Sequence, residues 1–310
     1  MKICQLCAVD FTLKRLIIPL VDAQLNQGHF VKSVCSFGGH LDDLKRKGYK
    51  IEVIPIERKL SPVKGLVSIW RLFLFFRRES FDVVHVHTPV AAFLARIAAF
   101  FARVPLVVYT AHGFYFHDEM PVLKRLIFIS AEIAMRPLTD LLFTQSQEDA
   151  VNAASLKIMN KKRIFCIGNG VDTKRFNPAI KYNIEDLNLP KDKVVIGMVS
   201  RLVQEKGIVE FLDAAKKLAL DYSHVYFLLV GSRLPSDYDS SVDSAIQDAE
   251  TVLGNRLILA GEREDIPGLL ASMDIYNEVG MNAISDKGKN LSFYMEYLIN
   301  HYLPEIKIIT

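Results

Sequence analysis

Residues 194–212 read VVIGMVSRLVQEKGIVEFL, and two periodicities meet within them. Val194 to Val199 is a short apolar run rich in β-branched residues, the pattern of a strand buried on both faces of a parallel sheet. From Gly207 the period changes. Ile208, Phe211, Leu212, Ala215 and Leu218 recur at spacings of three and four, which puts them on one helical face. The turn between strand and helix carries Arg201 and Lys206. Open parallel α/β sheets bind ligands beyond the carboxyl ends of their strands. The first N–H groups and the dipole of the next helix favour an anion there. Two cations beside that helix start suit a diphosphate, although the turn alone leaves a merely solvated surface loop open. The stretch contains neither G-x-G-x-x-G nor G-x-x-x-x-G-K-[ST], so it is neither a dinucleotide fingerprint nor a P-loop.

The same rhythm runs upstream and downstream. Before it, strand-like runs fall at Lys2 to Val9, Phe30 to Ser36, Ile51 to Ile56, Val83 to His87, Leu106 to Thr110, Leu141 to Thr144 and Arg163 to Ile167. Helical patterns lie between them, at Thr12 to Gln27 (stopped by Gly28), Lys64 to Arg78, Val90 to Ala102 and Val122 to Arg136. After it come a strand at Val225 to Val230, a helix near Ser240 to Leu253, a strand at Arg256 to Leu259 and a helix at Ile266 to Met273. Strands alternating with helices through short links make an α/β chain of two tandem Rossmann-like, doubly wound parallel sheets. The expected domains are 1–175 and 176–276, the second incomplete. Beyond Ile275 the alternation stops, leaving 277–310 as a divergent tail.

Half of the 310 residues are hydrophobic and 24% charged, as in an ordered globular protein. No uncharged apolar run reaches the roughly 18 to 20 residues of a membrane span; Arg96, Arg103 and Glu132 interrupt the longest candidates. Met1 to Val9 reads as a strand rather than a secretory signal, so a cytoplasmic location is expected. Four cysteines fit a reducing compartment. Cys4 and Cys7 form C-x-x-C, but these two, Cys35 and Cys166 all lie in apolar strands and read as buried packing residues. The net charge of +3 hides an asymmetry. Residues 1–175 hold 25 Lys and Arg against 15 Asp and Glu, and residues 176–310 hold 13 against 20. A basic first half suits an anionic partner surface. Nucleic acid is not expected, because the basic residues are spread over several elements with no binding module.

Residues that could carry chemistry cluster after strands. His85 and His87 share one side of their strand, and zinc is conceivable. With no third ligand evident, hydrogen-bonded histidines at a strand end explain them better. His112, beside Gly113, is the stronger candidate, since backbone can approach a ligand closely there. A solvated loop explains His117 and Asp118 equally well.

Six segments in this order, VVHVHTPVAAFLAR, YTAHGFYFH, TQSQEDA, GNGVDTKRF, SRLVQEKG and GEREDIPGLLASMDIY, resemble retaining glycosyltransferases of family 4 over about residues 1–276. Within that family the chain is similar to bacterial enzymes that build capsule or exopolysaccharide repeat units on a lipid diphosphate carrier. The resemblance implies the GT-B fold of two facing Rossmann-like domains. It also implies transfer from a nucleotide diphosphate sugar to a lipid-linked or saccharide acceptor. Arg201 and Lys206 would hold the diphosphate, His112 would line the sugar site and stabilise the reacting centre, and Gly261 and Arg263 would lie near the nucleobase. No metal and no cofactor is implied.

A peripheral contact with anionic membrane is the further expectation. The Lys64 to Arg78 helix sets Leu66, Ile69, Trp70, Phe73 and Phe76 among Lys64, Arg71, Arg77 and Arg78. Such a helix either packs on the sheet or lies on a bilayer. Two departures from the family stand out. Val9-Asp10-Phe11-Thr12 lacks a glycine pair, and the E-x7-E positions carry Ala283 and Leu291. Glu278 and Asp286 come too early to replace that pair. The sequence therefore predicts a transferase impaired by loss of the family's C-terminal part, with 277–310 as a replacement tail. The alternative is a non-catalytic remnant that binds nucleotide or a partner.

Overall fold

The apolar runs of the first unit, Met1–Gly170, become β1 (Lys2–Leu6), β2 (Phe30–Cys35), β3 (Ile51–Val53), β4 (Val83–His87), β5 (Leu106–Ala111), β6 (Leu141–Thr144) and β7 (Ile164–Cys166). The structure is a computed structural model and describes residues 1–57, 62–117, 120–177, 187, 193–233 and 241–276. All seven strands pair in parallel, in the order β3-β2-β1-β4-β5-β6-β7. The order reverses between β1 and β4, so the carboxyl ends of these two strands bound the crevice where such sheets take ligands.

The helices of this unit are α1 (Asp10–Thr12), α2 (Ile18–Asn26), α3 (Leu41–Arg46), α4 (Pro62–Glu79), α5 (Pro89–Ala102), α6 (Val122–Met135) and α7 (Gln147–Ser155). The single helix expected over Thr12 to Gln27 is interrupted. Pro19 has no N–H to return to the preceding turn, and Leu13–Ile17 forms a π-turn in which Ile18 N–H donates to the Leu13 carbonyl. α3 and α7 were not anticipated. Neither has a strong apolar stripe, and α7 is set instead by Ser146, whose hydroxyl accepts from Asp149 N–H at 3.0 Å.

α5 is packed through Ala91, Ala92, Ala95, Ala98 and Ala99, all buried. Arg96 and Glu132, which break the apolar runs in sequence, pair with each other at 3.0 Å, and the Arg96 guanidinium lies 4.4 Å from the Tyr109 ring centroid. α4 has two apolar faces. Leu72, Phe75 and Phe76 are buried, while Val63 (74% exposed), Leu66 (67%) and Trp70 (60%) form an outer stripe with Val67 and Leu74. Cys4, Cys7 and Cys35 are buried as expected. Cys166 is exposed instead, because among the described residues β7 is an edge strand that pairs on one side only.

The second unit, Val171–Thr310, holds β8 (Val194–Val199), β9 (Val225–Val230), β10 (Leu257–Gly261) and β11 (Ile275–Tyr276), parallel in the order β10-β9-β8-β11. Its helices are α8 (Ile208–Asp221), α9 (Ser241–Leu253) and α10 (Ile266–Ala271). Ile208, Phe211, Leu212, Ala215 and Leu218 are all buried in its core. β11 adds a fourth strand to the three legible in sequence, pairing Ile275 with Ile196 and Tyr276 with Gly197. Glu278, Ala283, Asp286 and Leu291 lie outside the described residues. Among the described residues, no helix is long and apolar enough to cross a membrane.

Candidate functional site

In the first unit, strand register places Gln5 beside His85 on β4, and His87 beside Thr110 on β5. Gln5, His85, His87 and Thr110 are buried, and hydrogen bonds join them. The Gln5 amide nitrogen faces Gln24 Oε1 at 3.0 Å and His85 Nδ1 at 3.3 Å. Its oxygen faces His87 Nε2 at 2.8 Å, and His85 Nε2 meets Thr110 Oγ1 at 2.7 Å. His87 Nδ1 then meets His112 Nε2 at 3.1 Å. His112 sits just past β5, before Gly113, whose φ is 103°. The strand-end histidines are therefore satisfied by side chains, as the sequence suggested. Burial pushes the His85 pKa down to about 3, with His112 adding to the effect, and holds His87 and His112 below the ordinary imidazole range. All three rings are neutral at pH 7. His117 is exposed, and Asp118 lies outside the described residues.

Three residues at the same crevice were not singled out in sequence. Thr88, directly after β4, is held at φ 66°, a left-handed conformation that costs an ordinary residue roughly 1–2 kcal/mol. Asp10 stands in the loop lacking the glycine pair. Its carboxylate accepts from Phe11 N–H at 2.8 Å and from His40 N–H at 2.7 Å, tying the loop after β1 to the loop after β2. Gly38 completes that tie, since a Cβ there would come within 2.1 Å of Asp10 Oδ1.

In the second unit, the strand ends are stitched together by backbone. Ser200 N–H donates to Val230 O at 2.9 Å, and Gly231 N–H to Gly261 O at 2.8 Å. Gly231 has φ 142°, and a Cβ on it would lie 1.8 Å from the Ser200 carbonyl oxygen. This close approach fixes the loop that carries Arg201 and Lys206. The loop passes through a 3-10 turn, Gln204–Lys206, into α8, whose N-cap is Gly207 at φ 74° with no side-chain cap. The first α8 N–H groups are thus not closed off by a capping side chain. Arg201 is ion-paired with Glu205, and Arg263 Nε holds Asp265 Oδ1 at 2.8 Å. The Arg263 hydrogen bonds keep the Asp265 carboxyl below its usual range. Arg201, Lys206, Gly261 and Arg263 therefore all lie at the carboxyl ends of β8 and β10, whereas His112 belongs to the first unit. The two guanidinium groups must exchange a carboxylate for any anionic ligand.

Comparison with known proteins places these features in a family. The model described as Glycosyltransferase Family 4 matches residues 14–175. The Escherichia coli UDP-Gal:alpha-D-GlcNAc-diphosphoundecaprenol alpha-1,3-galactosyltransferase is 30% identical over 258 residues, 81% of this chain and 65% of that protein. The Staphylococcus aureus capsular polysaccharide biosynthesis glycosyltransferase CapM is 27% identical over 197 residues, 62% of this chain and 51% of its own length. The chain thus spans about half to two thirds of these relatives. Among solved structures, Anabaena Alr3699/HepE in complex with UDP and glucose superposes with a TM-score of 0.67 at 20% identity, covering 90% of this chain and 74% of that one. At that identity the likeness speaks for the fold, α/β units of the GT-B type. With more than half of its length matched by the family model and its motifs at the expected strand ends, the chain belongs to Glycosyltransferase Family 4.

Proposed function

We propose that this protein transfers a sugar, with retention of anomeric configuration, from a nucleotide diphosphate sugar to a lipid-linked or saccharide acceptor in capsule or exopolysaccharide biosynthesis. The observation that carries the reading is the β8–α8 turn, where Arg201, Lys206 and a helix start without a side-chain cap lie together at a strand end. Breaking the bond from sugar to diphosphate leaves negative charge on the departing phosphate. Fixed cations and N–H dipoles stabilise that charge without reorganising, and no metal is needed. In this reading Gly261 and Arg263 lie toward the nucleobase, and His112 toward the sugar. The lipid diphosphate named in the Escherichia coli relative's description supports an acceptor of that class.

The outer stripe of α4 supports a peripheral membrane contact. Val63, Leu66, Val67, Trp70 and Leu74 lie exposed on a helix that also carries Lys64 and Arg71. Vesicles containing anionic lipid should retain the protein and release it in high salt, and Trp70→Glu should weaken retention. Equal retention on neutral vesicles would contradict the electrostatic part.

Transfer itself is tested by incubating the protein with isotopically labelled nucleotide sugars and a polyprenyl diphosphate-linked sugar. The expected outcome is label in the lipid product, with the donor's anomeric configuration and at a rate well below that of a relative that carries the paired glutamates. Nucleotide binding without transfer would favour the second reading, a nucleotide-binding remnant. The observation in its favour is that Ala283 and Leu291 stand at the positions of the family's paired glutamates.

A further inference from the structure

We propose that Gln5 and His87 are positioning residues that hold His112 in a single tautomer, Nε2 protonated and Nδ1 presented as a hydrogen-bond acceptor for a substrate hydroxyl. The inference rests on the proposed function only for the identity of that hydroxyl. The tautomer follows from the order of partners.

The Gln5 amide nitrogen has two N–H groups and two acceptors facing it, Gln24 Oε1 at 3.0 Å and His85 Nδ1 at 3.3 Å. His85 therefore carries its proton on Nε2 and donates it to Thr110 Oγ1 at 2.7 Å. The Gln5 oxygen can only accept, so His87 Nε2 must carry a proton and donate it across 2.8 Å. A neutral imidazole has one N–H, which leaves His87 Nδ1 as an acceptor. His112 Nε2 must then be the donor across 3.1 Å. What remains is His112 Nδ1, an atom shielded from solvent and without a hydrogen-bond partner in geometric reach among the described residues. The Gln145 side chain interacts with the ring as a hydrogen-bonding group that raises its basicity, but among the described residues no group lies within hydrogen-bond geometry of Nδ1.

A buried acceptor without a donor is costly, and such groups mark places where a ligand completes the arrangement. The donor that fits a neutral imidazole nitrogen is a hydroxyl, which both a sugar and its acceptor offer in number. Among the described residues, the groups facing the relay are neutral ones from β1 (Gln5), α2 (Gln24), β4 (His85), β5 (Thr110) and the start of the Gln145 loop, so no fixed charge among them reverses the proton order.

The test is nitrogen-15 NMR of the imidazole groups in the full chain at neutral pH. Scalar coupling through the hydrogen bond should link His87 Nδ1 and His112 Nε2, with the proton covalently on His112. A proton on His87 Nδ1, or no coupling, overturns the proposal. Gln5→Glu supplies the discriminating second arm. A carboxylate in place of the amide favours a charged His87 with protons on both nitrogens. His112 must then accept at Nε2 and move its own proton to Nδ1. His112 unchanged in folded Gln5→Glu overturns the relay, and if that variant does not fold, the wild-type coupling decides alone. In the same variant, sugar transfer should fall about tenfold, the value of one lost hydrogen bond, with affinity for the nucleoside diphosphate alone, read by calorimetry, unaltered. Absence of transfer in the wild type with the NMR result intact would count against the proposed function and leave the positioning inference standing.

Discussion

Removing Arg201 should weaken nucleoside diphosphate binding by a moderate, calculable factor. A charge-assisted hydrogen bond from a guanidinium to a phosphate contributes about 1.5–3 kcal/mol. Arg201 is not idle in the unliganded protein, however, since it pairs with Glu205, and the two side chains are 39% and 48% exposed. A pair that exposed contributes about 0.2–1 kcal/mol, which must be given up on binding. The net value is on the order of 1–2 kcal/mol, so Arg201→Ala should raise the Kd for UDP about 5- to 30-fold. Lys206→Ala should fall in the same range. Glu205→Gln should act in the opposite direction and tighten binding by up to about fivefold, because the guanidinium no longer leaves a carboxylate. Calorimetry at fixed ionic strength reads all three. Unchanged affinity in Arg201→Ala and Lys206→Ala, with the fold intact, would refute a diphosphate at this turn, and weaker binding in Glu205→Gln would refute the exchange.

Acid should destabilise the first unit. The His85, His87 and His112 pKa values are lowered on folding, so the unfolded chain binds more protons. Their contribution is fully present above about pH 6.5 and is lost as pH falls below it; for His85 the loss runs on toward about pH 3, at roughly 1.4 kcal/mol per pH unit. A flat urea midpoint between pH 7.5 and 5 would contradict this. Arg96→Met leaves Glu132 as a poorly solvated carboxylate without its partner and should cost about 3–5 kcal/mol. The double variant Arg96→Met with Glu132→Leu should recover most of that loss in thermal melts, and a double variant no better than the single would refute the pairing. Gly231→Ala drives a methyl into the Ser200 carbonyl, and a cooperative transition of the second unit that stays within about 1 kcal/mol of wild type would show that the backbone contact is not as close as described.

The core of each unit was legible because it follows local rules. The α8 stripe and the apolar strands needed only spacing, and the two cations of the β8–α8 turn needed only their place between strand and helix. What sequence reasoning missed was set by register or by geometry at one residue. Gln5 reads as a polar interruption in β1 until parallel pairing sets it beside His85, 80 positions away. A helix pattern ran through Pro19 because side-chain periodicity does not register a missing N–H. Cys166 looked buried because apolar neighbours mark a strand without telling its edge from its centre. The ion pairs of Arg201 and Arg263 were equally invisible, although Glu205 and Asp265 stand four and two residues away, because a list of charges does not say which of them close on each other.

The account stands most directly on where the diphosphate binds, and a crystal structure of the protein with UDP tests it. The expected result is a diphosphate at the start of α8, accepting from the first N–H groups after Gly207, with Lys206 against it and Arg201 turned from Glu205 onto a phosphate oxygen. A diphosphate bound elsewhere, or Arg201 still on Glu205 with the nucleotide in place, would contradict it.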